Sequence, residues 1–102
     1  MLVELSINPL GTGTHLSHDL GEILKLIDDS GLRYCLTPLG TCIEGEWDEV
    51  MALIKRCHEK GRSMSPHVFT TLRIEDEEGA TNKIQENVAS VERAAGRRLR
   101  RG

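Results

Sequence analysis

The first residues of the chain alternate between apolar and polar side chains. In the segment MLVELSIN, Val3, Leu5 and Ile7 are apolar, and each is followed by a polar residue. A period of two is typical of a β-strand that buries one face. Pro9 and Gly11 interrupt the alternation, so we expect the first strand to end there.

Two segments repeat their apolar residues at helical spacing instead. The first begins at Leu16, with Ser17 as a candidate N-cap and Gly31 where a left-handed glycine commonly ends a helix. The second begins at Trp47 and is expected to end near Gly61. A third helix is predicted in TNKIQENVASVERAAG, with Thr81 as its candidate cap and an apolar stripe of Ile84, Val88 and Val91.

The remaining segments have the composition of strands. LRYCLT and TCIEGE flank the turn Pro38-Leu39-Gly40 and predict a hairpin, and HVFTTLRIE is rich in β-branched and aromatic residues. The order is therefore βαββαβ followed by a helix. It predicts an α+β, ferredoxin-like fold, in which a four-stranded antiparallel sheet carries two helices on one face and an extra C-terminal helix follows.

The tetrapeptide PLGT occurs twice, after the first strand and between the two strands of the hairpin. In a ferredoxin-like sheet the first strand and the first strand of the hairpin run in the same direction, so the turns that follow them lie on one rim. Proline fixes φ and glycine admits a left-handed turn, which explains the repetition without a gene duplication. Thr12 and Thr41 are candidate contributors to a pocket at this rim.

Length and charge narrow the class of protein. The 102 residues are expected to form a single domain over 1–102, with 96–102 as a flexible basic tail. A net charge of −3 and only three aromatic residues give no reason to expect a nucleic-acid partner. Neither a signal peptide nor an apolar run of membrane-spanning length is visible, so a cytoplasmic protein without a membrane partner is expected.

The sequence offers little material for catalysis or metal binding. Cys35, Cys42 and Cys57 form no CxxC pair and are expected to be small buried or half-buried thiols in a reducing compartment. His15 and His18 are three residues apart but have no evident third ligand. We therefore expect neither an enzyme nor a bound cofactor, and a metal-binding protein stays as a minor alternative.

The sheet face without helices is predicted to be unusually mixed. Strand alternation places on it acids, hydroxyls, an amide, thiols and one aromatic ring, namely Glu4, Ser6, Asn8, Arg33, Cys35, Thr37, Cys42, Glu44, Glu46, Phe69, Thr71 and Arg73. Solvent alone can cover such a face. Alternatively, a second subunit covers it and leaves an acidic pocket, which Cys35, Cys42 and Phe69 favour because an open surface gains little from them.

Three segments together resemble a known family. SINPLGT, LTPLGTCIEGEWDEVMALIKRCHE and VFTTLRIED are similar to the small thiamine-binding, YkoF-like proteins, and the resemblance runs from Met1 to about Val91. It implies a ferredoxin-like fold, assembly into dimers or tetramers, and non-catalytic binding of thiamine or its hydroxymethylpyrimidine precursor. The matching motif positions are Ser6, Pro9, Leu10, Gly11, Thr12, Gly40, Thr41, Glu44, Gly45, Glu46 and His58.

Strand alternation and the shared rim place five polar residues near one zone, where we expect ligand contacts. They are Ser6, Asn8, Thr37, Thr41 and Glu44. Glu44 is expected to accept a hydrogen bond from a pyrimidine amino group or to pair with a thiazolium charge. Its alternative role is that of a carboxylate that supports the fold near the hairpin. A further alternative for the whole protein is an assembly protein without a small ligand.

Overall fold

The computed structural model describes residues 1–11, 13 and 16–101. The elements along the chain are β1 (Leu2–Pro9), α1 (Leu16–Asp29), β2 (Arg33–Thr37), β3 (Gly40–Glu44), α2 (Trp47–Met64), β4 (Val68–Glu75) and α3 (Lys83–Ala95). The predicted βαββαβ order with a C-terminal helix is confirmed. The predicted N-cap of α1 is wrong, because the helix already begins at Leu16 and Ser17 lies inside it.

The four strands form one antiparallel sheet in the order β2-β3-β1-β4, as a ferredoxin-like fold requires. The central strand β1 pairs with β4 along its whole length, from Leu2 to Pro9. It pairs with β3 only from Leu2 to Leu5. The last residues of β1 therefore extend beyond β3 and form a strand edge in the middle of the sheet.

Helices α1 and α2 cover one face of the sheet and build the core with it. Val3 and Tyr34 are both register partners of Ile43, so these three residues share that face as the alternation predicts. The buried apolar residues are Val3, Leu5, Ile7, Ile23, Ile27, Ile43, Val50, Leu53, Ile54 and Cys57. Removing this surface from water is the main favourable contribution to folding.

Helix α2 passes through Gly61, where the sequence predicted its end, and continues to Met64. Gly61 is buried, and a Cβ built on it would lie 3.3 Å from Cγ2 of Ile7. The glycine thus allows α2 to pack closely on β1, which is a second use of glycine in helices besides C-terminal caps.

Helix α3 lies against one end of the sheet face that α1 and α2 leave uncovered. The backbone N–H groups of Lys83 and Ile84 donate to the carboxylate of Glu44 on β3, and Asn87 donates to Glu75 on β4 over 3.1 Å. Thr81 is not the cap, because α3 begins at Lys83 after a left-handed Asn82. The uncovered face is thus partly shielded by its own chain.

Two further expectations concern the chain end and membranes. The N–H of Leu99 donates to Glu92 over 2.7 Å, so at least part of the basic tail folds back on α3. None of the helices in the described ranges is both long and apolar enough to cross a membrane.

Candidate functional site

A cleft of about 670 Å³ lies between α1 and the rim of the sheet where β1 and the β2–β3 hairpin end. Its volume is within the range of about 300–1,000 Å³ that is usual for small-molecule sites. The lining residues come from β1, α1 and the hairpin: Leu5, Ser6, Ile7, Asn8, Leu16, Ser17, Leu20, Gly21, Ile23, Leu24, Ile27, Leu36, Thr37, Pro38, Leu39, Gly40 and Thr41.

The cleft exists because the strands differ in length. Beyond Leu5, β1 continues without β3 beside it, and Ser6, Ile7 and Asn8 line the cleft. In antiparallel strands, backbone N–H and C=O groups alternate between the two edges. The free edge of β1 therefore presents main-chain donors and acceptors to the cleft, in addition to the side chains around it.

The hairpin turn forms the opposite wall and is held in place by Thr37. The Thr37 hydroxyl accepts a hydrogen bond from the N–H of Gly40 over 3.1 Å and donates to the Gly40 carbonyl over 2.8 Å. A Cβ on Gly40 would lie 2.9 Å from the backbone oxygen of Leu5. Only glycine therefore allows the turn to approach β1 this closely without a shift of the backbone.

The cleft collects four of the five polar residues that the sequence singled out as ligand contacts. Ser6, Asn8, Thr37 and Thr41 all line it. They reach it from different sides of the sheet, because Thr41 pairs with the core residue Leu5 and is only 4% exposed, whereas Ser6 pairs with Thr71 on the uncovered face. The cleft thus lies at the rim, where the two faces meet.

Glu44, the fifth predicted contact, does not line the cleft. Its carboxylate accepts hydrogen bonds from the backbone of α3, over 3.3 Å in the case of Ile84. A negative charge at this position stabilises the first turn of a helix, where N–H groups are unpaired and the helix dipole is positive. This geometry corresponds to the second role considered for Glu44, a carboxylate that supports the fold.

The charge of the cleft differs from the acidic pocket that the sequence suggested. Among the described residues, no charged side chain lines it, and its side chains are aliphatic apart from a few hydroxyls and one amide. The acids Glu4 and Glu44 lie on the uncovered face instead. The cleft is therefore suited to a neutral group with a few hydrogen-bonding atoms, since moving an unpaired charge out of water costs free energy.

A second, smaller groove of about 230 Å³ lies on the uncovered face beside α3. Charged and polar residues line it, among them Glu4 and Arg73, whose charged atoms are 4.0 Å apart, and Asn87. Cys42 also lines it, and burial together with the charge of Glu4 raises the pKa of this thiol. The groove offers less volume and fewer apolar walls than the cleft.

The metal alternative has no cluster to support it. Within residues 1–11, 13 and 16–101, no three His, Cys, Asp or Glu side chains converge on one point. His58 contacts Thr70, with 2.6 Å between Nδ1 and the hydroxyl oxygen, and so joins α2 to β4. Thr12 and His15, two further candidates from the sequence, lie outside the described residues.

Most apolar residues of the cleft were missed as site residues. Leu20 and Leu24 follow the helical apolar pattern of α1, which predicts an amphipathic helix but no binding site, and Gly21 gave no signal. The hairpin does carry a signal, because Leu36 is 64% and Leu39 is 89% exposed. Leucine is not among the residues that turns favour, so Leu39 at the tip of the turn is the feature of the hairpin that sequence reasoning could have singled out.

Comparisons with known proteins identify the family and agree with the fold. The family model for thiamine-binding proteins matches residues 3–92. A UPF0045 protein of Mycobacterium tuberculosis is 34% identical over 94 residues, which cover 91% of this chain and 92% of the relative. A UPF0045 protein of Synechocystis is 32% identical over 93 residues, which cover 90% of this chain and 77% of the relative.

Two solved structures show the same fold at lower identity. A hypothetical protein of Methanocaldococcus jannaschii matches with a TM-score of 0.81 at 24% identity, covering 88% of this chain and 93% of that one. A Thermotoga maritima protein, described as a candidate for thiamine biosynthesis or salvage, matches with a TM-score of 0.79 at 22% identity, covering 88% and 96%. The family model covers most of the chain, including all the buried apolar residues of the core. The chain therefore belongs to the thiamine-binding protein family.

Proposed function

We propose that this protein binds thiamine or its hydroxymethylpyrimidine precursor in the cleft between α1 and the hairpin, without catalysing a reaction. The observation that carries the proposal is the cleft itself, whose described lining is uncharged and mostly aliphatic, with a few hydroxyl groups and one amide. An aminopyrimidine ring is neutral and flat, and it carries a methyl group for the aliphatic wall and nitrogen atoms for the polar rim.

The polar groups at the rim have distinct roles in this proposal. Thr41 and the free edge of β1 hydrogen-bond the amino group and ring nitrogens of the ligand. Ser6 and Asn8 contact the ligand at the mouth of the cleft. Thr37 holds the turn in position through its bonds to Gly40. The cationic thiazolium of thiamine stays toward solvent, since no counter-charge among the described lining residues would offset its burial.

We further propose that a second copy of the chain covers the open part of the uncovered face at the β4 side. Phe69 on β4 is 58% exposed and Val91 on α3 is 56% exposed. Both would lose contact with water in a dimer or tetramer. In this proposal the oligomer acts in the cytoplasm as a binding protein that handles the vitamin.

Isothermal titration of the protein with thiamine and, separately, with hydroxymethylpyrimidine tests the ligand. The matched variant is Gly21→Leu, because Gly21 lines the cleft on an exposed turn of α1 and a Cβ there meets no atom within 4 Å. The leucine side chain is expected to occupy part of the cleft and should abolish binding. Ala52→Leu, on the exposed surface of α2, introduces the same side chain elsewhere and should bind as the wild type does.

The alternative of an assembly protein without a small ligand predicts a different outcome. Wild-type protein would then give no heat with either compound at millimolar concentration. Equal binding by the wild type and Gly21→Leu would place the ligand outside the cleft and contradict the proposed site.

A further inference from the structure

Two of the three cysteines face each other across neighbouring strands. Cys35 on β2 and Cys42 on β3 are direct partners in the antiparallel register and therefore project from the same face of the sheet. Directly opposite residues in antiparallel strands have Cα atoms about 4.5–5.5 Å apart. A disulfide needs about 4.4–6.8 Å between Cα atoms, so the Cα separation expected for this pair is within the range that a disulfide can span.

The pair is also accessible, unlike the third cysteine. Cys35 is exposed and Cys42 half-buried on the face that α1 and α2 leave open, whereas Cys57 is fully buried in the core. Burial raises the pKa of Cys57 to about 11 and also raises the pKa of Cys42, so the exposed Cys35 is the thiol placed to react first. The pair lies at the β2 edge of the sheet, and Phe69 lies on β4 at the opposite edge.

We propose that Cys35 and Cys42 are a modification site, at which a low-molecular-weight disulfide such as oxidised glutathione converts the two thiols into a reversible cross-strand disulfide. The Cys35 thiolate attacks one sulfur of the oxidant, forms a mixed disulfide and releases one reduced thiol. The Cys42 thiolate then attacks the sulfur of Cys35, and a second reduced thiol leaves. Two protein thiols are oxidised and one small disulfide is reduced to two thiols.

The site is placed to act on the hairpin. The bond would join β2 and β3 close to the turn. Thr37 and Gly40, which pair at the turn, are each two residues from a cysteine of the pair and lie on the same face. A cross-link restricts the unfolded chain and keeps the two strands together. Oxidation should therefore stabilise the hairpin, and this inference stands whether or not the neighbouring cleft binds a ligand.

The test is thiol counting on the wild-type protein after incubation with oxidised glutathione. Under denaturing conditions the reduced protein should show three thiols and the oxidised protein one, with peptide mapping that joins Cys35 to Cys42. The thermal midpoint should rise by several degrees on oxidation and return after treatment with dithiothreitol. Cys35→Ser and Cys42→Ser are matched variants, and each should stop at a glutathione adduct on its remaining partner.

Two results would overturn the inference. One is wild-type protein that keeps three thiols or accumulates glutathione adducts without the Cys35–Cys42 peptide. The other is a disulfide that forms chiefly between chains, seen as a covalent dimer on a non-reducing gel. Either outcome would show that the opposed thiols do not react with each other.

Discussion

At the scale of single residues, the carboxylate of Glu44 joins the middle of the sheet to the first turn of α3. It accepts hydrogen bonds from two backbone N–H groups that the helix cannot satisfy itself, those of Lys83 and Ile84. Asn82, at the N-cap position, makes no side-chain cap bond of its own. Glu44, which is 39 positions before Lys83, thus takes the role of a helix cap.

We predict that Glu44→Ala lowers the free energy of unfolding by about 1 kcal/mol, as the loss of a helix cap typically does. The affinity for thiamine should not change, since Glu44 lies away from the cleft. Glu46→Ala is the control, because Glu46 precedes α2 without a side-chain cap bond and is exposed. Chemical denaturation and titration calorimetry measure both properties. If Glu44→Ala had unchanged stability but reduced affinity for thiamine, Glu44 would be a ligand contact and the capping role would be contradicted.

Single residues also show what a sequence can and cannot predict about the site. Ser6, Asn8, Thr37 and Thr41 were predicted as ligand contacts because strand alternation and the shared rim place them near one zone, and all four line the cleft. The link between Glu44 and α3 has no local signal, because it joins residues far apart in the sequence. The same holds for Gly21, whose only relevant property is the empty space beside it.

At the scale of elements, the lengths of the strands decide where the cleft lies. The sequence predicted each strand from alternation and β-branched residues, and the structure confirms all four. Register, however, depends on pairing between distant segments. The early end of the β1–β3 pairing at Leu5 therefore could not be predicted, although it creates the free edge that lines the cleft.

Helix α3 contains no fully buried residue, whereas α1 and α2 each contain several. Several of its contacts with the sheet are polar. Asn87 donates to Glu75, and the ammonium of Lys83 lies 3.5 Å from Glu75 and 2.9 Å from Glu77. An element with few buried apolar contacts opens at low free-energy cost.

We predict that α3 detaches in acid before the core unfolds. The hydrogen bond from Asn87 and the charge of Lys83 lower the pKa of Glu75 from its ordinary value of 4.5. A carboxyl group whose pKa is lowered by folding stabilises the folded state above the ordinary value, and this contribution disappears as the pH falls through the lowered pKa. Amide NMR signals of α3 should therefore shift before those of α2 as the pH is lowered.

The control for this prediction is Glu75→Gln, in which the charge is absent at every pH. The α3 signals of this variant should already be displaced at neutral pH and change less on acidification. Simultaneous loss of α3 and α2 signals in the wild type would show that the two helices unfold as one unit and contradict the prediction.

At the scale of the whole molecule, the two faces of the sheet are covered differently. One face is covered by α1 and α2 and contains the core, and the cleft opens at its rim. The other face is shielded by α3 at one end and stays open near Phe69. The sequence predicted this division but not the position of α3, since an amphipathic helix pattern does not say which surface it packs on.

We predict that the protein is a dimer or tetramer in solution. Phe69→Glu should raise the dissociation constant of this oligomer at least tenfold, because a buried charge without a partner costs more than about 1.4 kcal/mol. Sedimentation equilibrium measures the change. Ala52→Glu, on the exposed surface of α2, should assemble as the wild type does. A wild-type monomer at all accessible concentrations would contradict the proposed assembly.

The most direct test of the account is to locate the ligand by NMR. Isotope-labelled protein is titrated with thiamine, and the amide shifts are followed residue by residue. We predict that the largest changes fall on Ser6–Asn8 of β1 and on Thr37–Thr41 of the hairpin, because these segments form the two polar walls of the cleft. Changes concentrated at Glu4, Cys42 and Arg73, in the groove beside α3, would contradict the central claim.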